Sequence, residues 1–319
     1  MRKTMMDQNE SLISLGKTDI QIPRLGVGTW AWGDRRFWNF GQGYNDADIR
    51  GAFDASLAAG VNFFDTAEVY GSGRSERFLG SFLLGASTPV MVATKFFPFP
   101  WRLSKAALLH ALRSSLERLN LQRVDLYQVH WPFPPIAVET WAEALAQAVQ
   151  QGLARAVGVS NYNAEQMRRA SAALAKHGVA LASNQVEYSL LKREVEQNGV
   201  LKTCQELGVT LIAYSPLAQG VLTGKYSPKQ PLPGMRGWRH SRAVLEKVQP
   251  LLRLMGEIGE AHGGKTVAQV ALNWTICKGT VPIPGAKNAK QAQDNLGALG
   301  WRLSEAECAA LDDASEKIQ

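Results

Sequence analysis

Short apolar runs alternate with amphipathic stretches along most of this chain. The runs centre on residues 25–27, 62–64, 90–93, 126–129, 156–159, 182–185, 211–214 and 281–283. Most are apolar almost throughout rather than at every second position, as strands covered on both faces require. Helical patterns fill the intervals, at 46–59, 105–119, 138–150 and 164–176 among others. Eight such units in 319 residues predict an α/β fold, a (β/α)8 TIM barrel with extra helices, with residues 1–319 as one domain. An open dinucleotide-binding sheet would need GxGxxG between its first strand and helix. Here Gly26-Val27-Gly28 runs on into Thr29-Trp30, and Gly71-Ser72-Gly73 reads as a turn into a helix.

Turn and cap residues refine this picture. Residues 12–15 and 20–22 flank Gly16-Lys17-Thr18-Asp19, which predicts an N-terminal β-hairpin closing one end of the barrel. Asn163 with Gln166, Thr266 with Gln269 and Ser304 with Glu307 have the spacing of capping boxes. Insertions at 32–45, rich in aromatics and glycine, and at 216–241, rich in proline and glycine, both follow strand ends. Long connections of this kind are usually functional, and these two are expected to overhang the mouth. A last helix is expected near 305–315.

Composition narrows the class. Hydrophobic residues make up 45% of the chain, and no apolar run approaches the ~20 residues needed to cross a bilayer. The first ten residues are polar and include acids, which argues against a secretory signal. Cys204, Cys277 and Cys308 are far apart in sequence and form no CxxC, which suits a reducing compartment, so a cytoplasmic protein is expected. The net charge of +7 comes from scattered Lys and Arg with no recognition motif, which argues against nucleic acid as a partner and suits a phosphorylated cofactor. No histidine pair has ligand spacing, so no metal site is expected.

Polar residues stand where the buried runs end, the place where barrel enzymes carry their chemistry. Asp65 and Tyr70 lie in Asp65-Thr66-Ala67-Glu68-Val69-Tyr70-Gly71, Lys95 ends the next run, and His130 the one after. Reducing a carbonyl requires a hydride and a proton. A free phenol, with a pKa of roughly 10, needs an ammonium beside it to become an effective donor near neutrality. Lys95 is placed to be that neighbour, Asp65 to be its counter-charge, and His130 to hydrogen-bond the carbonyl oxygen. Singly, each has an ordinary structural explanation; together, at successive strand ends, they point to catalysis.

With these strings, together with Ala93-Thr94-Lys95-Phe96 and Val129-His130-Trp131-Pro132, the chain resembles the aldo-keto reductases over residues 26–301. The resemblance implies a catalytic tetrad of Asp65, Tyr70, Lys95 and His130, with Tyr70 as proton donor. It implies NADP(H) as cofactor, held without a glycine-rich loop. Ser160, Asn161 and Gln185 would bind the nicotinamide amide and Tyr214 would stack on its ring. Ser215, Pro216, Leu217, Ala218, Gln219 and Gly220 would approach the pyrophosphate. Gly285, Lys287 and Gln291 would surround the 2′-phosphate, with Asp294 and Asn295 near the adenine, and Ile283 and Pro284 would belong to the same cofactor-binding strand end. Gly28, Thr29, Trp30 and Asp65 complete the expected cofactor set, and Lys225 and Arg236 would clasp it from the long loop. Many relatives carry arginine where this chain has Gln291, leaving Lys287 as the main charged partner of that phosphate. Read directly, Asn288 with Gln291 is also compatible with a plain capping box.

Aromatic residues beyond the strand ends predict an apolar pocket for a small carbonyl compound, with Trp32, Tyr70, Phe97, His130 and Trp131 as its lining. The strings Phe97-Pro98-Phe99-Pro100-Trp101 and His130-Trp131-Pro132-Phe133-Pro134 resemble a plant and cyanobacterial branch whose relatives include pyridoxal reductases. A monomer or weak homo-oligomer is expected. A second class shares some of these strings: the cofactor-sensing β subunits of potassium channels. Those subunits generally fill the His130 position otherwise.

Overall fold

The computed structural model describes residues 12–318; the polar N-terminal stretch lies outside the described residues. Strands β1 (Leu12–Ser14) and β2 (Gln21–Pro23) pair antiparallel as the expected hairpin. Its turn uses Gly16 at φ 58°, where a Cβ would lie 2.5 Å from the Ala182 carbonyl oxygen, so only glycine fits.

Eight further strands follow, all parallel and side by side in chain order: β3 (Val27–Gly28), β4 (Phe63–Asp65), β5 (Met91–Phe96), β6 (Val124–Val129), β7 (Ala154–Ser160), β8 (Leu181–Glu187), β9 (Thr210–Tyr214) and β10 (Val281–Pro282). The last closes on the first. Gly28 bridges Gly285, Gly26 N–H donates to the Pro282 carbonyl at 3.0 Å, and Gly28 N–H to that of Pro284 at 3.1 Å. A Cβ on Gly28 would sit 2.8 Å from the Ile283 carbonyl oxygen, so this seam also needs glycine. The expected eight-stranded barrel is therefore present, as a parallel barrel ringed by helices.

Side chains alternate across the barrel wall. On β5, Ala93 and Lys95 point inward, whereas Val92 and Phe96 pack outward, Phe96 against Trp141 at 5.0 Å. The inward apolar layer comprises Phe63, Ala93, Leu126, Ala156, Ala182, Ile212 and Val281, and the hairpin seats Leu15, Ile20 and Ile22 against it. The hairpin thus plugs the N-terminal end of the barrel, and polar side chains begin above that floor.

The capping boxes at Asn163, Thr266 and Ser304 are all formed. A fourth, at Asn45, uses Asp48 in place of the Glu or Gln sought in the sequence. Within the first insertion, Asp34 accepts from the Phe37 and Trp38 amides, and Tyr44 donates to the Ala31 carbonyl at 2.6 Å. The second insertion forms a 3-10 turn, Ala218–Thr223, and a short helix, Met235–Arg239. The insertions meet where the Arg236 guanidinium lies 5.2 Å over the Trp38 ring. Among the described residues, no helix is long and apolar enough to cross a membrane.

Candidate active site

Asp65 ends β4 facing inward and is 1% exposed. The chain then turns through a 3-10 segment, Tyr70–Gly73, with Gly71 at φ 55° and Ser72 at φ 58°. A Cβ on Gly71 would lie 2.8 Å from the Gly33 carbonyl oxygen, so the turn depends on glycine and carries Tyr70 back over the strand ends. Lys95, fully buried on β5, pairs with Asp65 and donates to the Thr66 carbonyl at 2.8 Å. Its Nζ is 3.5 Å from Tyr70 Oη. His130, one residue past β6, sets its ring edge-on to Tyr70, with centroids 5.9 Å apart at 81°. The four residues separated in sequence are therefore one cluster.

Asp65 is the hub of this cluster. Besides Lys95, its carboxylate accepts from the Gln185 amide at 2.8 Å and the Gln128 amide at 3.2 Å. Gln128 is a site residue that sequence reasoning passed over. The signal was present: Leu126, Gln128 and His130 share the inward face by period two. Gln185 is tied into the same layer, with its amide also 3.4 Å from Gln128 Oε1.

Electrostatics at the site depart from one expectation. Desolvation, aided by the Asp65 charge, holds the Tyr70 phenol well above its ordinary value of 10.0. Lys95 was expected to lower it, but that ammonium is already neutralised by Asp65, and stripping water from a phenolate is the larger effect. The resting phenol therefore keeps its proton. Burial lowers Lys95 itself, with Asp65 opposing. Burial, and then the Lys95 charge, hold His130 well below 6.5, so its ring is neutral near pH 7. Its Nδ1 is buried and has no hydrogen-bond partner.

Residues expected around a nicotinamide line the neighbouring strand ends. Ser160 Oγ donates to the Gln185 carbonyl at 2.8 Å, Asn161 Nδ2 to the His130 carbonyl at 3.0 Å, and Tyr214 Oη to Asn161 Oδ1 at 3.0 Å. Asn161 thus links three strand ends, from a left-handed φ of 62°. Residues Ser215, Ala218, Gln219 and Gly220 also take positive φ, so the backbone after β9 doubles back tightly on itself. The Gln219 side-chain oxygen is buried without a partner.

Three cations gather beside this turn. Lys287 Nζ donates to the Trp38 carbonyl at 3.0 Å and lies 4.3 Å from the Tyr44 ring centre. Arg236 Nη1 donates to the Gln219 carbonyl at 3.3 Å. Burial, with Arg236 and Lys225 nearby, pushes Lys287 down to about 8. Like charges assembled at such a cost are the signature of an anion seat. The arrangement fits the phosphates of a dinucleotide.

Other expected cofactor residues serve the frame. Thr29 is fully buried and donates to the Asp65 carbonyl at 3.0 Å, while Gly28, Ile283 and Pro284 form the barrel seam. Gln291 Oε1 accepts from the Lys287 backbone N–H, and the Gln291 backbone N–H donates to Asn288 Oδ1, a cap at the start of helix Ala289–Leu296. Asn295 donates to the Gly285 carbonyl at 3.3 Å. Asp294 turns away, its carboxylate bound to Thr266 and Gln269 at the start of the helix Val267–Cys277.

The aromatic mouth is partly as expected. Phe97 lies 5.6 Å from the His130 ring, Trp131 stacks on Phe133 at 5.4 Å, and Trp30 is 6.1 Å from Tyr70. Trp32 is a correction. It is fully buried between barrel and helices, packs on Phe64 and Phe82, and donates to the Ala286 carbonyl. An inward-folded loop gave its indole an apolar seat and a carbonyl partner, and Trp30 is the residue beside Tyr70.

Residues 24–316 match the model of the aldo/keto reductase family. The chain belongs to that family. It is 43% identical over 311 residues to a chloroplastic pyridoxal reductase of Arabidopsis thaliana, covering 93% of this chain and 84% of that protein. It is 33% identical over 323 residues to the L-glyceraldehyde 3-phosphate reductase of Escherichia coli K12, covering 93% and 90%. Among solved structures, it superposes on a glycerol dehydrogenase from Gluconobacter oxydans with a TM-score of 0.83 at 28% identity, covering 95% and 94%. A thermostable aldo-keto reductase solved with epalrestat gives 0.76 at 31% identity, covering 95% and 99%. This aldo-keto reductase is therefore an oxidoreductase of carbonyl chemistry built on a TIM barrel.

Proposed function

We propose that this aldo-keto reductase uses NADP(H) to reduce aldehydes or ketones to alcohols, with Tyr70 donating the proton. The observation that carries the reading is Tyr70 Oη at 3.5 Å from Lys95 Nζ, inside a cluster with Asp65 and His130. Bound at the mouth, the dinucleotide supplies the hydride. Ser160, Asn161 and Gln185 would hold its carboxamide, Tyr214 its ring, and Lys225, Arg236 and Lys287 its phosphates.

The protein's own groups manage the proton. The raised pKa keeps Tyr70 protonated until a carbonyl oxygen arrives. As charge builds on that oxygen, the phenol releases its proton to it, and the Lys95 ammonium stabilises the phenolate that forms. Asp65 keeps that ammonium in place. Neutral His130 offers one N–H to orient the oxygen. The aromatic rings around Tyr70 and His130 suit an aryl or alkyl carbonyl compound, and 43% identity to a pyridoxal reductase supports including pyridoxal among the substrates.

The test is NADPH oxidation by the purified protein against a panel of aldehydes, ketones and quinones, pyridoxal included. Tyr70→Phe keeps the ring and removes the acid, so kcat is expected to fall about 10²–10⁴-fold while cofactor affinity holds. A Tyr70→Phe enzyme with the wild-type rate would refute the assignment.

A further inference from the structure

Two cysteines that the reaction does not use have been brought together by the fold. Cys277 ends the helix Val267–Cys277, and Cys308 lies in the first turns of the C-terminal helix Glu305–Glu316. Far apart in sequence, their side chains are neighbours at one surface cavity. Three contacts tie the two helices together around them: Asn273 Oδ1 accepts the Leu303 amide at 3.0 Å, the Trp274 indole donates to Asp312 at 2.8 Å, and Lys278 pairs with Asp312. Within the first helix, Cys277 Sγ donates to Asn273 Oδ1 at 3.4 Å. Both thiols are partly exposed and line a surface cavity of about 380 Å³ shared with Lys278, Arg302 and Asp312.

We infer that Cys277 and Cys308 form a reversible dithiol–disulfide site, oxidised by exchange with a small-molecule disulfide of the glutathione type. The cavity opens both thiols to such a reagent, and its polar rim of Lys278, Arg302, Glu305 and Asp312 offers partners of both charges to a zwitterionic peptide. In the first step the Cys277 thiolate attacks one sulfur of the small disulfide. That S–S bond breaks, a mixed disulfide forms on Cys277, and one small thiol leaves. In the second step Cys308 attacks the Cys277 sulfur, the protein disulfide forms, and the second small thiol leaves. The protein pair loses two electrons and two protons, and both end on the two small thiols.

The order of attack follows from the surroundings. Burial, and then the Cys277 neighbour, hold Cys308 up to about 11, against the pull of Lys278 and with Asp312 also raising it. The less readily ionised Cys308 is therefore assigned the resolving step. Cys204 is an internal control: it is buried, and its thiol is pushed up to about 12. Closure would encircle residues 278–307, the segment that carries β10, Lys287 and the helix Ala289–Leu296 with Asn295.

The experiment equilibrates the full-length protein with glutathione and glutathione disulfide at set ratios, then quenches, alkylates free thiols and maps peptides by mass. The expected product is one Cys277–Cys308 disulfide that dithiothreitol reverses, with Cys204 alkylated throughout. Cys308→Ser should stall as a glutathione adduct on Cys277, and Cys277→Ser should give no closed form. A rise in Tm of the oxidised wild type, absent from both variants, would accompany closure. A wild-type protein that stays fully alkylatable at every ratio, or that stops at an unresolved adduct, would overturn the inference. So would a disulfide that includes Cys204.

Discussion

Asp65 shows how much one side chain can be asked to do. Its carboxylate accepts from Lys95, Gln128 and Gln185 at once, and it is almost wholly out of water. Asp65→Asn keeps the shape, removes the counter-charge of a buried ammonium, and turns amide hydrogens toward amide donors. Breaking a buried pair by removing one partner typically costs about 3–5 kcal/mol, so denaturant unfolding should show a loss of that order together with loss of activity. Lys287 offers a second test. With a value of about 8, it carries its charge below that pH and sheds it above. If Lys287 reads the 2′-phosphate, the Kd for NADPH should weaken as pH rises from 7 to 9 while that for NADH stays nearly flat. Titrations of both nucleotides across that window decide the point, and parallel curves would remove Lys287 from the phosphate site.

Elements were legible where a local rule was strong. Strands could be read because a barrel wall is buried on both sides, and the boxes at Asn163, Thr266 and Ser304 because their spacing encodes their geometry. The cluster of Asp65, Tyr70, Lys95 and His130 could be read because each residue follows a buried run. Other features depend on contacts that no local pattern carries. Lys287 rests on Trp38, 249 positions away, and Trp32 was drawn into the core by a loop whose path its composition does not specify. The adjacency of Cys277 and Cys308 was hidden in the same way. The hairpin was read correctly as an end-closing element, and its energetic role can be measured. Ile22 is fully buried against the barrel floor. Ile22→Ala should destabilise by about 2–5 kcal/mol, the usual cost of such a cavity. Cofactor affinity of the still-folded protein should be unchanged, since the hairpin lies at the opposite end from the strand ends that carry the site.

At the scale of the whole molecule, the barrel is sealed at one end and carries its chemistry at the other, and the seam between first and last strands lies near the cation cluster. That cluster is drawn from two distant parts of the chain, and Trp38, from a third, stands among its cations, under Arg236 at 5.2 Å and Lys287 at 5.1 Å. An indole between two cations is an optical instrument as well as a structural one. When an anion draws those charges off the ring face, the ring's emission must change with them. The protein should therefore signal the arrival of a phosphorylated ligand in its own fluorescence, even for a nucleotide fragment that has no nicotinamide to absorb the light. Adenosine 2′,5′-bisphosphate added to the wild type should produce this change, and Trp38→Phe should abolish most of it, although eight other tryptophans remain of the nine in the chain. A signal that survives the substitution would place the reporter elsewhere.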